Sequence, residues 1–401
     1  MPRDSNPDRP RRASTRAVHG TARRAAGAMS SPIVHSATFT ASSHAAMLHE
    51  LELGAAGDFY QRLGHPTIRA AEQRLAELEG AEGALLFASG MAAISSVLFG
   101  HLRAGEHVVA LSQCYGGTIE ALQWGVERLG WRCTFVDARE PDGWEAALRP
   151  DTRILHVESP TNPTLCIVDI RRAAELAHRR GALLTVDNTF ASPLGQHPLE
   201  LGADLAIYSA TKSIGGHSDL LAGVVLGAAG KLEPLWRARH VFGGTSDPTT
   251  AWLIERSLKT LPMRVAASNA NALALAERLA RHPDVVRVHY PGLPGHPGHD
   301  VARRQMALGF GPVVSMELRD QEQAQAVVDG LELFGIGPSL GGVESLASLP
   351  GFTSHRMLTA VERRAAGIGD GMIRLAVGIE DVDDLWADLE RSLLRSRVAA
   401  G

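Results

Sequence analysis

Three short segments of the chain carry residue types that could act together on one small molecule. YSATKSIGGHSD (208–219) sets a single lysine, Lys212, among hydroxyls and glycines. An amine in such a setting can serve as a nucleophile and not merely as a solvated cation. VDNTF (186–190) ends an apolar run on Asp187, a carboxylate able to hold a positive charge on a bound group. SGMAAI (89–94) places Ser89 and Gly90 at the opening of a helical pattern, and a helix N-terminus is an anion site. Ser209 and Thr211 suit the same purpose, because small donors beside bare backbone can approach a phosphate closely. Taken singly, Asp187 reads as a strand-end turn residue, Lys212 as a surface cation and SGM as a tight turn. Their order, and their common place at strand ends, changes that reading.

Such residues need a scaffold, and the sequence outlines one. IRAAEQRLAELEG (68–80) puts Ala71, Leu75 and Leu78 at helical spacing and stops at Gly80. GALLFAS, HVVAL, RCTFV, RILHVES and ALLTVDN follow as apolar runs, separated by helical stretches such as IVDIRRAAELAHRRG (167–181). This alternation predicts an α/β fold with a mostly parallel sheet covered on both faces, in which ligands gather at the carboxyl ends of the strands. VESPTNP, VDNTF and YSATKS all fall at such ends. Beyond about residue 250 the pattern changes: 267–282 reads as a long helix, and VVSMEL and MIRLAVG as isolated strands. The last helix carries Val382, Leu385, Trp386, Leu389 and Leu393 on one stripe. The expected organisation is an N-terminal arm and interface segment over 1–59, a large domain over 60–255 and a smaller α+β domain over 256–401.

Composition narrows the function classes. With 401 residues, 45% of them hydrophobic and 21% charged, the chain can bury a large core. A net charge of -4 gives no broad attraction to nucleic acid or to anionic lipid, so neither is expected as a partner. Cys114, Cys133 and Cys166 are scattered without a CxxC pair, which fits a reducing cytoplasm. The opening segment, MPRDSNPDRPRRASTRAVHGTARRAAG, lacks an apolar core for secretion and reads as a disordered, solvated arm over roughly the first 30 residues. No run approaches the roughly 18 apolar residues of a membrane span. His296 and His299 in GHPGHD sit among loop formers with no third ligand nearby in sequence, so no metal site is expected. His217 in GGHSD is expected to pack beside the Lys212 turn.

A nucleophilic lysine, an acid and phosphate-type turns at strand ends fit pyridoxal 5'-phosphate, which needs a Schiff-base lysine, an acidic partner for its ring nitrogen and a phosphate cup. VDNTFASP, YSATKSIGGHSDLLAGVV, QCYGGT, VESPTNP, YPGLPGHPGHDVARRQ, SLGGVESL and IRLAVGIEDVDDL carry this further. Together, over about residues 15–397, they resemble the signature segments of the Cys/Met-metabolism family of fold-type I pyridoxal-phosphate enzymes. That family includes cystathionine γ-synthase, cystathionine γ-lyase, methionine γ-lyase and the homoserine-ester sulfhydrylases. The resemblance implies that Lys212 holds the cofactor covalently and then moves protons along the substrate. It implies that Asp187 pairs with the ring nitrogen, and that Tyr115 stacks on the ring and serves as acid or base at the leaving group. Ser89, Gly90, Met91, Ser209 and Thr211 are the implied phosphate ligands. Asn162 is placed at the ring hydroxyl region, and Arg374 with Ser339 at the substrate α-carboxylate. Tyr60 and Arg62 in FYQRLGHPT match a pair that reaches the neighbouring subunit's phosphate, which implies a homotetramer built from two dimers with shared sites.

Departures from the family pattern bear on the substrate. Gln61 and His65 replace the serine and asparagine of YSRxGNPT, the first at the cleft wall and the second at a turn. Phe59 stands where cystathionine enzymes carry an acid for the distal amine, although Glu344 in GGVESL resembles the other acid they use. Glu120 takes the place of the arginine that meets a distal carboxylate in the YGGxxR pattern, and Gly117 replaces the cysteine of methionine γ-lyases. The implied activity is γ-elimination or γ-replacement on a γ-substituted L-amino acid, such as a homoserine derivative or a sulfur amino acid. Glu120 favours a small neutral γ-group, as in a specialised pathway. The alternatives are the cystathionine chemistry of trans-sulfuration and an aminotransferase or decarboxylase on the same fold. A binder without catalysis has no need of the full set of lysine, aspartate, tyrosine and arginine.

Overall fold

The apolar runs form strands where the sequence places them: β1 (Gly83–Phe87), β2 (His107–Leu111), β3 (Arg132–Val136), β4 (Thr152–Glu158) and β5 (Leu183–Asp187). The computed structural model describes residues 11–19, 28–356 and 358–399. β6 (Leu205–Tyr208) and β7 (Gly223–Gly227) complete a seven-stranded sheet in the order β1-β7-β6-β5-β4-β2-β3. β7 runs antiparallel to β1 and β6, and the remaining pairings are parallel. Helices cover both faces, so the strands are apolar on both. Leu85 and Phe87 of β1 join a core with Ile207 and Val225, while Leu86 joins the opposite core with Tyr208 and Val224. The two-residue period of the strand sorts these side chains.

Local chemistry sets the helix ends that matter for the site. The helix Pro66–Glu79 opens on His65, whose Nδ1 accepts the Thr67 N–H at 3.2 Å, and closes on Gly80 at a φ of 77°. Glycine takes that left-handed conformation without a Cβ penalty. Buried His65 therefore caps a helix, as an asparagine at that turn could. The helix Gly90–His101 opens on Ser89, whose Oγ accepts the Ala92 N–H at 3.0 Å. The helix Gly116–Leu129 begins directly after Tyr115. A buried ion pair ties three elements: Arg239 of the helix Ala229–Phe242 donates to Glu72 Oε1 and to the Leu86 carbonyl, each at 2.7 Å, and Leu86 N–H donates to the same carboxylate oxygen at 2.8 Å.

The second sheet holds β8 (Arg287–His289), β9 (Val313–Glu317), β10 (Gly335–Ile336), β11 (Leu346–Ser348) and β12 (Met372–Ala376), in the order β10-β11-β12-β9-β8. The helices Leu261–Leu279, Gln321–Asp329 and Val382–Ala399 pack on it around one core. The expected stripe on the last helix is buried at Leu385, Leu389 and Leu393, with Val382 and Trp386 at its margin. Residue 255, the expected end of the large domain, lies inside the helix Pro248–Leu258.

One expectation is corrected at the N-terminus. Ala13–His19 is a helix and not a solvated coil. Ala17 is buried in the core formed by Ile68, Ala71 and Leu75, and Arg74 Nη2 donates to the carbonyls of Ala17 at 3.1 Å and Val18 at 3.0 Å. Composition could not reveal this, because the helix is stabilised by docking and not by its own propensity. Residues 1–10 and 20–27 of that arm lie outside the described residues. Among the described residues, no helix is long and apolar enough to cross a membrane.

Candidate active site

β4, β5 and β6 lie side by side and parallel, so their carboxyl ends open on one place. Glu158 pairs in register with Asp187, and Asp187 with Ile207, one residue before Tyr208. A cavity of about 970 Å³ lies there, at the large end of the roughly 300–1,000 Å³ usual for small-molecule sites. It brings together Ser89, Gly90, Met91, Tyr115, Glu120, Asn162, Asp187, Ser209, Thr211, Lys212, Ser339 and Arg374. Phe59, Tyr60, Arg62 and Glu344 do not line it.

Lys212 is half-buried and its Nζ donates to Ser339 Oγ at 2.7 Å. Burial, and then the nearby Arg374 charge, lowers its pKa to about 8, so the amine begins to lose its proton just above neutral pH. Ser339 has a φ of 90°, a left-handed conformation costly for a residue with a Cβ. Its carbonyl accepts from Arg374 Nη2 at 3.0 Å, which holds the turn in place. Arg374 Nη1 donates to Asn162 Oδ1 at 3.0 Å, while its buried Nε has no hydrogen-bond partner. An orphaned guanidinium donor at a cavity wall suits a carboxylate. Burial lowers the Arg374 pKa to about 10, which still leaves it charged.

Asp187 is buried and receives both its hydrogen bonds on Oδ1, from Thr189 N–H at 3.0 Å and Thr189 Oγ1 at 2.6 Å. Burial raises its pKa, so a cation beside it is what would keep it ionised. The neighbouring Glu158 is pushed well above the usual carboxyl range by burial and then by Asp187. Glu158 Oε2 accepts the Tyr115 N–H at 2.7 Å and so fixes the residue that carries the exposed phenol ring. Gly117 makes room for that ring: a Cβ there would come within 2.7 Å of Tyr115 Cε1 and 2.9 Å of Met91 Sδ.

The anion cup is built by close approach. A Cβ on Gly90 would meet Ser209 Cβ at 3.0 Å, so the Ser209 turn lies directly against the start of the helix Gly90–His101. Ser209 N–H donates to Thr189 Oγ1 at 2.8 Å, linking the cup to the Asp187 turn. Ser89 uses an oxygen lone pair for its cap and keeps its O–H. Thr211 differs, because its hydroxyl donates to the Ala222 carbonyl at 3.1 Å and accepts the Ala222 N–H at 3.0 Å.

Comparison with known proteins agrees with this geometry. The family described as Cys/Met metabolism PLP-dependent enzyme matches residues 14–394. The chain belongs to this family. It is 43% identical over 335 residues to a cystathionine gamma-lyase of Bacillus subtilis, covering 83% of this chain and 88% of that protein. An O-succinylhomoserine sulfhydrylase of Pseudomonas aeruginosa is 43% identical over 338 residues, 84% of each chain. An L-methionine gamma-lyase of Fusobacterium nucleatum is 40% identical over 384 residues, 94% of this chain and 97% of that one. The crystal structure of cystathionine gamma synthase from Xanthomonas oryzae pv. oryzae has a TM-score of 0.92 at 38% identity, covering 97% of this chain and all of that chain. Pyridoxal 5'-phosphate, the cofactor of the family, fits the residues present: a desolvated amine, a buried carboxyl needing a cation, and a helix N-terminus pressed against serine hydroxyls.

Some expected residues stand elsewhere and some unexpected ones line the cavity. Arg62 stacks its guanidinium 5.5 Å from the centre of the Tyr60 ring and donates to the His240 carbonyl at 2.9 Å, outside this chain's own cavity. Glu344 is exposed near Gly342, and Phe59 joins its backbone to Phe39. Glu158, in VESPTNP, lines the cavity unexpectedly, although a carboxylate at the end of the strand next to Asp187 is a signal the sequence carries. His355 and Arg356 are likewise unexpected, in a polar stretch that looks like any surface loop. His355 is buried, its Nδ1 lies 2.9 Å from Ser354 Oγ, and burial with the Arg374 charge drives its pKa to about 4.

Proposed function

We propose that the chain binds the α-carboxylate of a γ-substituted L-amino acid at Arg374 and carries out γ-elimination or γ-replacement with Lys212 as the proton carrier. The observation that supports this most is one connected set: Lys212 Nζ on Ser339 Oγ, Ser339 on Arg374, and a free buried Arg374 Nε at the same wall. The cofactor, when bound, supplies an electron sink that acidifies the substrate Cα–H. Lys212, partly neutral near pH 8, accepts that proton and can return one further along the substrate. Tyr115, exposed to the cavity and anchored through Glu158, serves the leaving group at Cγ. Asp187 would hold a negative charge for the cofactor's cationic ring nitrogen, and Ser89, Ser209 and the first N–H groups of the helix Gly90–His101 would hold its phosphate.

Tyr60 and Arg62 lie outside the cavity of their own chain, which supports their serving a neighbouring subunit in a dimer and, by extension, in a homotetramer. The two sheets support a large domain ending after the helix Pro248–Leu258 and a C-terminal domain from the helix Leu261–Leu279 onward. The free cysteines Cys114, Cys133 and Cys166 support a cytoplasmic setting.

Purified protein supplied with pyridoxal phosphate should be yellow and should release 2-oxo acid and ammonia from O-acetylhomoserine or methionine, or, with an added thiol, form a new thioether as acetate or methanethiol leaves. The band at the visible edge disappears in Lys212→Ala. A wild-type protein that stays colourless in excess cofactor overturns the reading.

A further inference from the structure

The ends of β5 and β6 are tied together twice. Beside the cavity, Thr189 bridges them: its hydroxyl donates to Asp187 Oδ1 at 2.6 Å and accepts the Ser209 N–H at 2.8 Å. Outside the cavity the adjacent residues form a second bridge. Asn188 Nδ2 donates to the Tyr208 hydroxyl oxygen at 2.9 Å, and the Tyr208 O–H donates to Glu79 Oε2 at 2.7 Å. Glu79, Tyr208 and Asn188 are all buried, and none of them lines the cavity. Asn188 also holds the turn that carries Thr189, its amide donating to the carbonyls of Ser192 at 3.2 Å and Gln196 at 2.8 Å. Ser192 sits there at a φ of 65°, a left-handed conformation costly for a residue with a Cβ and kept only where neighbours enforce it.

Glu79 ends the helix Pro66–Glu79, whose Leu75 and Leu78 share a core with Tyr208. An acid is a poor residue for packing there. Burial pushes its carboxyl up to about 8, and Oε1 has no hydrogen-bond partner among the described residues. The nearest basic ring nitrogen, His197 Nδ1, stands 3.9 Å from Oε2 and is likewise unpartnered. A leucine would avoid the cost of desolvating a carboxyl. What the acid supplies in return is one acceptor, aimed at Tyr208.

We propose that Glu79 is a positioning residue for the cofactor site: by accepting the Tyr208 O–H it orients Asn188, and so fixes the two strand ends that present Asp187 and Ser209. Without that acceptor the tyrosine hydroxyl can turn, Asn188 loses a partner of fixed orientation, and the Thr189 turn loosens between the ring-nitrogen acid and the phosphate cup. Arg374 and Ser339 lie outside this chain of bonds, so substrate capture is spared. The proposal rests on the cofactor site assigned above.

The test separates positioning from stability. Glu79→Leu combined with Tyr208→Phe replaces both partners by apolar groups of similar size, which leaves no buried polar group unpaired between them. Full-length cofactor-free protein carrying both changes should melt within a few degrees of the wild type, yet bind pyridoxal phosphate about tenfold more weakly when titrated by its absorption band. After loading to saturation, kcat for O-acetylhomoserine should fall by about tenfold while KM stays within about twofold. Tyr208→Phe alone should show the same weakening, and decides the matter should the double variant not fold. Glu79→Gln, which keeps an oxygen for the Tyr208 O–H, should retain wild-type affinity and kcat. Unchanged cofactor affinity in Tyr208→Phe, or a Glu79→Gln protein as weak as the double variant, overturns the proposal. Losses that only track a lower melting temperature overturn it too. A wild type that takes up no cofactor would instead strike the cofactor reading, and the proposal with it.

Discussion

At the scale of the residue, the site works by desolvation. Lys212 and Asp187 are ordinary side chains whose charges become costly once water is removed, and each is then available to a partner of opposite need. The pH dependence follows. Lys212 has an ordinary value of 10.5 and a folded value of about 8, so the cost of its charge in the fold is fully present below about pH 8. That cost is relieved as pH rises from 8 to 10.5, and protein free of cofactor should gain stability through that window. Capture of added pyridoxal phosphate should speed up with pH and level off above about 8, as read by stopped-flow absorbance. Arg374→Gln removes a positive neighbour and should move that midpoint upward. Gly117→Ala places a methyl within 2.7 Å of the Tyr115 ring, and steady-state kinetics should show kcat/KM falling by about tenfold as the ring shifts.

Among the elements, the cup depends on a few caps and one buried ion pair. Ser89 caps the helix Gly90–His101, whose N-terminus is the proposed phosphate site, and Glu72 with Arg239 clamps the helix Pro66–Glu79 and the helix Ala229–Phe242 to β1. Arg239→Met leaves Glu72 buried without its partner and should cost about 3–5 kcal/mol, measured by urea denaturation. Replacing Glu72 by Met as well should recover part of the loss, since a pair of well-packed apolar residues carries no unpaired charge. The helix Pro66–Glu79 and β1 to β5 were legible because their signals, period and flanking glycine, lie within a few residues. β7 was not: GVVLG is too short to distinguish from a buried turn, and its antiparallel direction depends on where the chain returns. The docked helix Ala13–His19 was hidden for a similar reason, its one buried side chain being an alanine.

The whole molecule decides what surrounds the lysine. Arg374 and Ser339 come from the C-terminal half, while Lys212 and Asp187 come from the large sheet, so the cavity exists only where the two meet. If sites are also shared between subunits, Arg62→Ala should lower cofactor retention, and mixing that protein with Lys212→Ala protein should restore activity in one of the two sites of each mixed dimer. Gel filtration followed by assay of mixed dimers reads this directly; mixed dimers as inactive as their parents would count against sharing.

The sequence by itself determined which residue types are at hand for the chemistry: a lysine among small residues, an acid at a neighbouring strand end, and turns small enough to approach a phosphate. Those properties are local, carried by residue type and spacing. The tertiary structure decided which distant residues join them. Arg374 meets Asn162 across 212 positions and Lys212 meets Ser339 across 127, pairings that no periodic pattern encodes. It also set Glu120, in the sequence an acid where an arginine was expected, on a cavity that Arg356 lines as well. Charge at a binding site is a sum over neighbours in space, and packing alone determines who those neighbours are.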